Sequence, residues 1–97
     1  MIKTFREKGG EELYWIENGK KLGLPKELWR IARRKLRLLD ASYDINDLRI
    51  PPGNHLEKLQ GDRAGQYSIR VNDRWRICFH WEKGDAFEVD IINYHHS

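Results

Sequence analysis

This chain has a single thiol, Cys78. With no second cysteine to pair with, a disulfide-stapled scaffold is excluded and a reducing compartment fits better. No apolar run approaches the ~18 residues that a membrane helix needs. The first residues, MIKTFREKGGEE, are charged and lack an apolar signal core, so the expected location is cytoplasmic, with no membrane role. Internal repeats and low-complexity tracts are absent. Proline is scarce, three in 97 residues, and two of the three are adjacent. At this length one domain, residues 1–97, is the expectation.

Hydrophobic residues make up 39% and charged residues 34% of the sequence, the balance of a soluble globular protein with a modest core. The net charge is +3 and the isoelectric point about 9.1. That excess tilts toward an anionic partner, although a solvated basic surface accounts for it equally well.

Along the chain, Ile2 to Arg6 alternates weakly and can form a short first strand. Glu11 to Asn18 reads as a short helix with Gly19 as its stop. Pro25 opens a second helix where its missing N–H is harmless. Leu28, Ile31, Ala32, Leu36 and Leu39 recur at helical spacing and face the core. Arg30, Arg33, Arg34 and Arg37 recur on the other side as a basic stripe. That stripe is either a solvated face or a docking face for an acidic partner or RNA phosphates. Ser42 to Gly53 is a connector whose prolines forbid ladder pairing. Residues 55–59 suggest another strand, and 61–65 a turn. Strict alternation follows through three strands with short loops. The expected fold is α+β, two N-terminal helices packed on one face of a small twisted antiparallel sheet.

The alternation carries a functional argument. Tyr67, Ile69 and Val71 share one face, as do Trp75, Ile77, Phe79 and Trp81, and Phe87, Val89 and Ile91. Those faces must stay together, because a one-residue slip turns a whole set outward. A three-residue turn at Asn72–Arg74 keeps them matched and sets Arg70 opposite Arg76. A three-residue turn at Lys83–Asp85 pairs Trp81 with Phe87, Phe79 with Val89 and Arg76 with Ile92. Like charges directly opposite destabilise a sheet, so Arg70 and Arg76 call for an anion. Tyr94 shares the parity of Ile92 and emerges near Arg74 and Arg76. An aromatic beside guanidinium groups suits stacking on a base while a phosphate is held. The plain alternative is that Glu88 and Asp90 neutralise the arginines.

Other chemistry is weaker. His80, His95, His96 and Cys78 lack a ligand-spacing signature, so no metal site and no cofactor are expected. Cys78 reads as a small packing residue. Trp15, Trp29, Trp75 and Trp81 read mostly as core.

The stretch IPPGNHLEKLQGDRAGQYSIRVNDRWRICFHW, followed by INYHHS, resembles the HigB branch of the RelE toxin superfamily. MIKTF and the helical segment Arg34 to Ala41 fit as well, so the likeness spans nearly the whole chain. It implies a RelE-like toxin of a type II toxin–antitoxin system, a messenger-RNA endoribonuclease acting in the ribosomal A site beside ribosomal RNA. The implied partner is a helix-turn-helix, HigA-like antitoxin, and operator DNA is bound only through the antitoxin complex.

Position by position, the resemblance makes Arg76 the contact to the scissile phosphate. It gives Tyr94 the task of stacking or orienting the nucleotide and makes His95 a candidate acid or base. Lys58, Arg63 and Arg70 are implied to bind the RNA backbone, with Arg74 and Asn93 beside them. Arg30, Arg33, Arg34 and Arg37 are candidates for antitoxin or ribosome contact. The chain departs from the family pattern at Asn93 (often Asp), Gln60 (often Lys) and Glu57 (sometimes His). The implied reaction is metal-free. The 2′-OH attacks the adjacent phosphorus and expels the 5′-oxygen, leaving a 2′,3′-cyclic phosphate. Arg76 then stabilises the phosphorane, while His95 and either Glu57 or His55 move protons, each worth roughly 10²–10⁴-fold. Two rivals stand beside it: a non-cleaving RNA- or ribosome-binding module neutralised by an antitoxin, and a pure interaction protein. DNA binding by this chain alone lacks a recognition helix.

Overall fold

The computed structural model describes residues 1–94. Two helices, α1 (Lys8–Ile16) and α2 (Trp29–Ala41), precede four strands, β1 (Glu57–Lys58), β2 (Gln66–Arg70), β3 (Trp75–Glu82) and β4 (Asp85–Asn93). The strands form one antiparallel sheet in the order β1-β2-β3-β4. The architecture is the expected α+β layer pair. Among the described residues no helix is long and apolar enough to cross a membrane.

The core lies between the helices and one face of the sheet. Leu13 of α1 and Ala32, Leu36 and Leu39 of α2 pack on Ile69, Trp75, Ile77, Phe79, Val89 and Ile91. Pro25 precedes a tight turn, Lys26–Leu28, that runs straight into α2. The first helix differs from expectation at both ends. It starts at Lys8, three residues early, and takes in the buried Gly9 and Gly10. A Cβ on Gly10 would sit 2.9 Å from Phe5 Cδ1, so glycine lets α1 close on the N-terminal segment. The helix ends at Glu17, in the left-handed region at φ 52°, rather than at Gly19. The Asn18 N–H reaches back to the Glu12 carbonyl and satisfies the last turn.

The expected first strand does not form as a strand; residues 2–5 instead lie along β4 through two isolated parallel bridges, from Ile2 to Ala86 and from Phe5 to Val89. The connector contains a turn, Ile45–Arg49, closed by a capping box between Asp44 and Asp47 and anchored by buried Leu48. The expected strand at 55–59 shortens to Glu57–Lys58. Trp15 departs from the core expectation, being 68% exposed, whereas Trp75 is buried and Trp29 and Trp81 pack partly against the core.

The first hairpin has the expected register, with Ile69 opposite Ile77 and Arg70 opposite Arg76. The Asn72 side chain holds its turn by accepting from the N–H groups of Arg74 and Trp75, at 2.9 and 2.8 Å. The second hairpin corrects the expectation. Its turn has two residues, since Glu82 pairs with Asp85, and both Lys83 and Gly84 have positive φ. Trp81 therefore faces Ala86, and Phe87 falls opposite His80 on the outer face. A bulge then restores the parity. Glu88 and Val89 together stand against Phe79, with Glu88 at φ 52°. The Glu88 N–H, lost to the ladder, donates to Thr4 Oγ1 at 2.8 Å. Beyond the bulge Cys78 meets Asp90 and Arg76 meets Ile92, the expected pair.

Gly84, at φ +83° and with a would-be Cβ 3.0 Å from the Tyr43 carbonyl oxygen, tolerates no side chain. Gly84→Ala is expected to lower stability by about 1–3 kcal/mol in urea denaturation, and Lys83→Gly to cost far less.

Candidate active site

The outer face of the sheet carries Ser68 and Arg70 from β2, Arg76, Cys78 and His80 from β3, and Asp90 and Ile92 from β4. Part of this face is closed to water. Ser68 and Cys78 are fully buried and Asp90 nearly so.

Arg76 is the centre of the arrangement, with its side chain 11% exposed. Its Nε donates to Ser68 Oγ at 2.8 Å and its Nη2 to the His55 carbonyl at 2.6 Å. Nη1 lies 3.9 Å from Glu57 Oε1, an exposed carboxylate. The Tyr94 ring stands 5.9 Å from Cζ, within cation–π range, and the Tyr94 N–H donates to the Arg74 carbonyl. Arg76, Tyr94, Glu57 and the His55 backbone thus converge. His95 lies outside the described residues.

The loop that delivers His55 is fixed from beneath. Asn54 is fully buried and donates to the carbonyls of Leu48 and Ile50, at 3.1 and 3.3 Å. Lys35, reaching from α2, donates to Asn54 Oδ1. Burial, reinforced by nearby Arg34, pushes the Lys35 ammonium pKa down. His55 itself is exposed, at φ 45°.

The other basic candidates divide. Arg63 is drawn along the outer face to Gln66 Oε1 at 3.1 Å and Asp90 Oδ2 at 3.3 Å, and Arg6 approaches the same carboxylate oxygen at 3.9 Å. Asp90 therefore pairs with Arg63 and, at longer range, with Arg6, while Arg70 pairs with Asp73. Arg74 is exposed beside Tyr94. Lys58 pairs in register with Tyr67 and lies 6.0 Å from its ring, on the helix side of the sheet. Asn93 pairs with Trp75 and so leaves the sheet on that side too. Asp90, the expected neutraliser of the strand arginines, takes Arg63 and Arg6 instead of Arg70 or Arg76, and Ser68, Asn54 and Lys35 escaped sequence reasoning. Alternation puts Ser68 on the right face, but nothing in a strand serine marks it as a partner for arginine.

The basic stripe lies across the sheet from Arg76. Arg30, Arg33, Arg34, Arg37 and Glu17 line a cleft of about 250 Å³. Arg33 is committed, donating to the carbonyls of Tyr14 and Trp15 at the end of α1 and pairing with Glu17 at 3.7 Å. Arg30, Arg34 and Arg37 make no hydrogen bond or ion pair among the described residues. An apolar notch of about 210 Å³ adjoins it, lined by Met1, Ile2, Phe5, Tyr14, Trp15 and Asp40.

Among the described residues no group of three or more His, Cys, Asp and Glu side chains is arranged to hold a metal. Burial pushes the Cys78 thiol up to about 11; Arg63 and Arg76 oppose the rise to a smaller extent, and the Asp90 carboxylate adds to it. A thiol raised on folding favours the native state below its unfolded pKa, and that contribution is lost as pH rises toward the folded value. Native protein at pH 8 is therefore expected to resist iodoacetamide and to label only on unfolding. Cys78→Ala should lose less stability than wild type between pH 9 and 11.

A family model described as RelE-like toxin of type II toxin–antitoxin system HigB matches residues 3–95. Toxin HigB-1 of Vibrio cholerae serotype O1 is 41% identical over 89 residues, covering 92% of this chain and 93% of that protein. Endoribonuclease HigB of Proteus vulgaris is 35% identical over 95 residues, covering 98% and 100%. Among solved structures, a YoeB-YefM complex from Staphylococcus aureus contains a chain with the same fold, at TM-score 0.59 and 23% identity, covering 99% of this chain and 97% of that one.

Proposed function

The chain belongs to the HigB-like family of RelE-like toxins of type II toxin–antitoxin systems, and from that premise we propose that it is an endoribonuclease that cuts messenger RNA in the ribosomal A site. The observation that carries this reading is the clamped Arg76 guanidinium beside an aromatic ring and an exposed carboxylate. The name of the Proteus vulgaris relative supports ribonuclease chemistry.

In this reading Tyr94 stacks on or orients the nucleotide, and Arg76 receives the scissile phosphate. The ion pair from Glu57 to Arg76 is long and half in water, so it is worth little and yields to an incoming phosphate. The carboxylate so released, or the exposed His55 side chain, takes the proton of the 2′-OH. The 2′-oxygen attacks phosphorus, the 5′-oxygen leaves, and His95 protonates it. Arg76 stabilises the charge that grows on the phosphorane oxygens. These groups complete the chemistry without a metal or cofactor. Arg70 and Arg74 hold flanking phosphates, and Arg63 contributes mainly by keeping Asp90 neutralised.

Induced expression with and without the neighbouring gene, followed by mapping of messenger-RNA 5′ ends, tests this. New 5′-hydroxyl ends inside translated frames are expected, and Arg76→Ala should reduce them by about 10²-fold or more. Growth arrest without new ends would instead establish the non-cleaving RNA- or ribosome-binding reading.

The partner in this proposal is a HigA-like helix-turn-helix antitoxin whose acidic side chains enter the arginine cleft while an apolar anchor fills the Trp15 notch. The solved YoeB-YefM complexes support an antitoxin partner by analogy of fold. Operator DNA is reached only through that complex. Combined Arg30→Glu, Arg34→Glu and Arg37→Glu should weaken antitoxin binding by roughly 10–100-fold, chiefly through slower association, with little change in melting temperature.

A further inference from the structure

We propose that Ser68 is a positioning residue. Together with the His55 carbonyl it occupies one edge of the Arg76 guanidinium and so presents the other edge to the scissile phosphate. The proposal rests on the ribonuclease reading above.

A guanidinium has five N–H groups in one plane. The Nε–H and one Nη2–H lie side by side along one edge. Both nitrogens of that edge donate here, Nε to Ser68 Oγ at 2.8 Å and Nη2 to the His55 carbonyl at 2.6 Å. The second edge keeps one Nη2–H parallel to one Nη1–H. Its neighbour Glu57 stands 3.9 Å from Nη1, too far for a hydrogen bond. Two parallel donors on a held plane match two oxygens of one phosphate, which a mobile arginine would have to find by rotation.

Ser68 is suited to this and to little else. It is fully buried, between Glu57 on β1 and Cys78 on β3. Its one-carbon side chain bonds Arg76 and has no exposed surface from which to touch RNA. The opposing acceptor is equally rigid, since the loop before His55 is pinned by Asn54 and, through it, by Lys35 of α2. The two acceptors arrive from different elements, so the guanidinium plane is set by the fold rather than by the substrate.

A double-mutant cycle on single-turnover cleavage of messenger RNA on programmed ribosomes tests the assignment, using wild type, Ser68→Ala, Arg76→Lys and the double variant. Ser68→Ala should lower kcat on the order of 10²-fold, the cost of a reacting group displaced by about 1 Å, with KM little changed. In the Arg76→Lys background the same change should cost nothing more, because lysine has no guanidinium edge to hold. Ser68→Thr, which keeps the hydroxyl, should recover most of the rate. Native cleavage by Ser68→Ala, or an equal loss in both backgrounds, would overturn the proposal. Cleavage unchanged in Arg76→Lys and in Arg76→Ala would instead overturn the reading of Arg76 itself. If Ser68→Ala does not fold, the Arg76 Nε–H resonance of wild type decides. Slow exchange with solvent supports the clamp, and exchange as fast as that of a solvated arginine refutes it.

Discussion

Strand β4 carries one residue more than β3 can pair with, at Glu88–Val89, and the placement of every outer-face side chain past that point follows from it. The tight Lys83–Gly84 turn starts the hairpin one residue out of phase with its own hydrophobic pattern. Left uncorrected, that offset would turn Val89 and Ile91 toward water. The bulge absorbs it before Asp90, so Val89 and Ile91 enter the core while Asp90 joins Cys78 on the far side. The cost is a glutamate in the left-handed region and an N–H removed from the ladder. Thr4 offsets the second by accepting that N–H. The N-terminal segment is thus part of what keeps Arg76 opposite Ile92.

Around Arg76 the electrostatics are arranged by burial rather than by counting charges. Arg70 stands directly across from it, a repulsion that an isolated hairpin would resist. Each arginine has a separate carboxylate, Asp73 for one and Glu57 for the other, and neither pair is buried on both sides. Asp90, the one nearly buried carboxylate on this face, is already shared by Arg63 and Arg6. The site therefore keeps a net positive charge, with its one nearly buried carboxylate already engaged by Arg63 and Arg6. A polyanion meets donors without having to displace a strong internal pair.

The layers, the helical core stripe, the strand alternation and the Arg70–Arg76 pairing are legible in the sequence, because each follows from one periodicity and one buried face. Tyr94 reaches Arg76 by the same parity. Phe87 misleads, since nothing local says that Lys83 will take a positive φ and shorten the turn. Trp15 misleads because an exposed tryptophan is read as core when judged by residue type. The clamp on Arg76 was hidden for a different reason. Ser68, Asn54 and Lys35 are ordinary residues in ordinary places, and their roles arise only when β2, the 50–55 loop and α2 are brought together.

The parallel seam between residues 2–5 and 86–89 ties together segments at opposite ends of the described chain. During synthesis the first segment exists long before its partner does. Folding therefore cannot finish until β4 has been made, whatever the helices do earlier, and contacts of such long sequence separation are slow to form. Arg76 waits on the same event, because Ile92 lies on β4 and Tyr94 just beyond it. A chain in which β4 has not yet been made is thus left without the complete outer face, and the nuclease proposed here would be silent until that strand has joined the sheet.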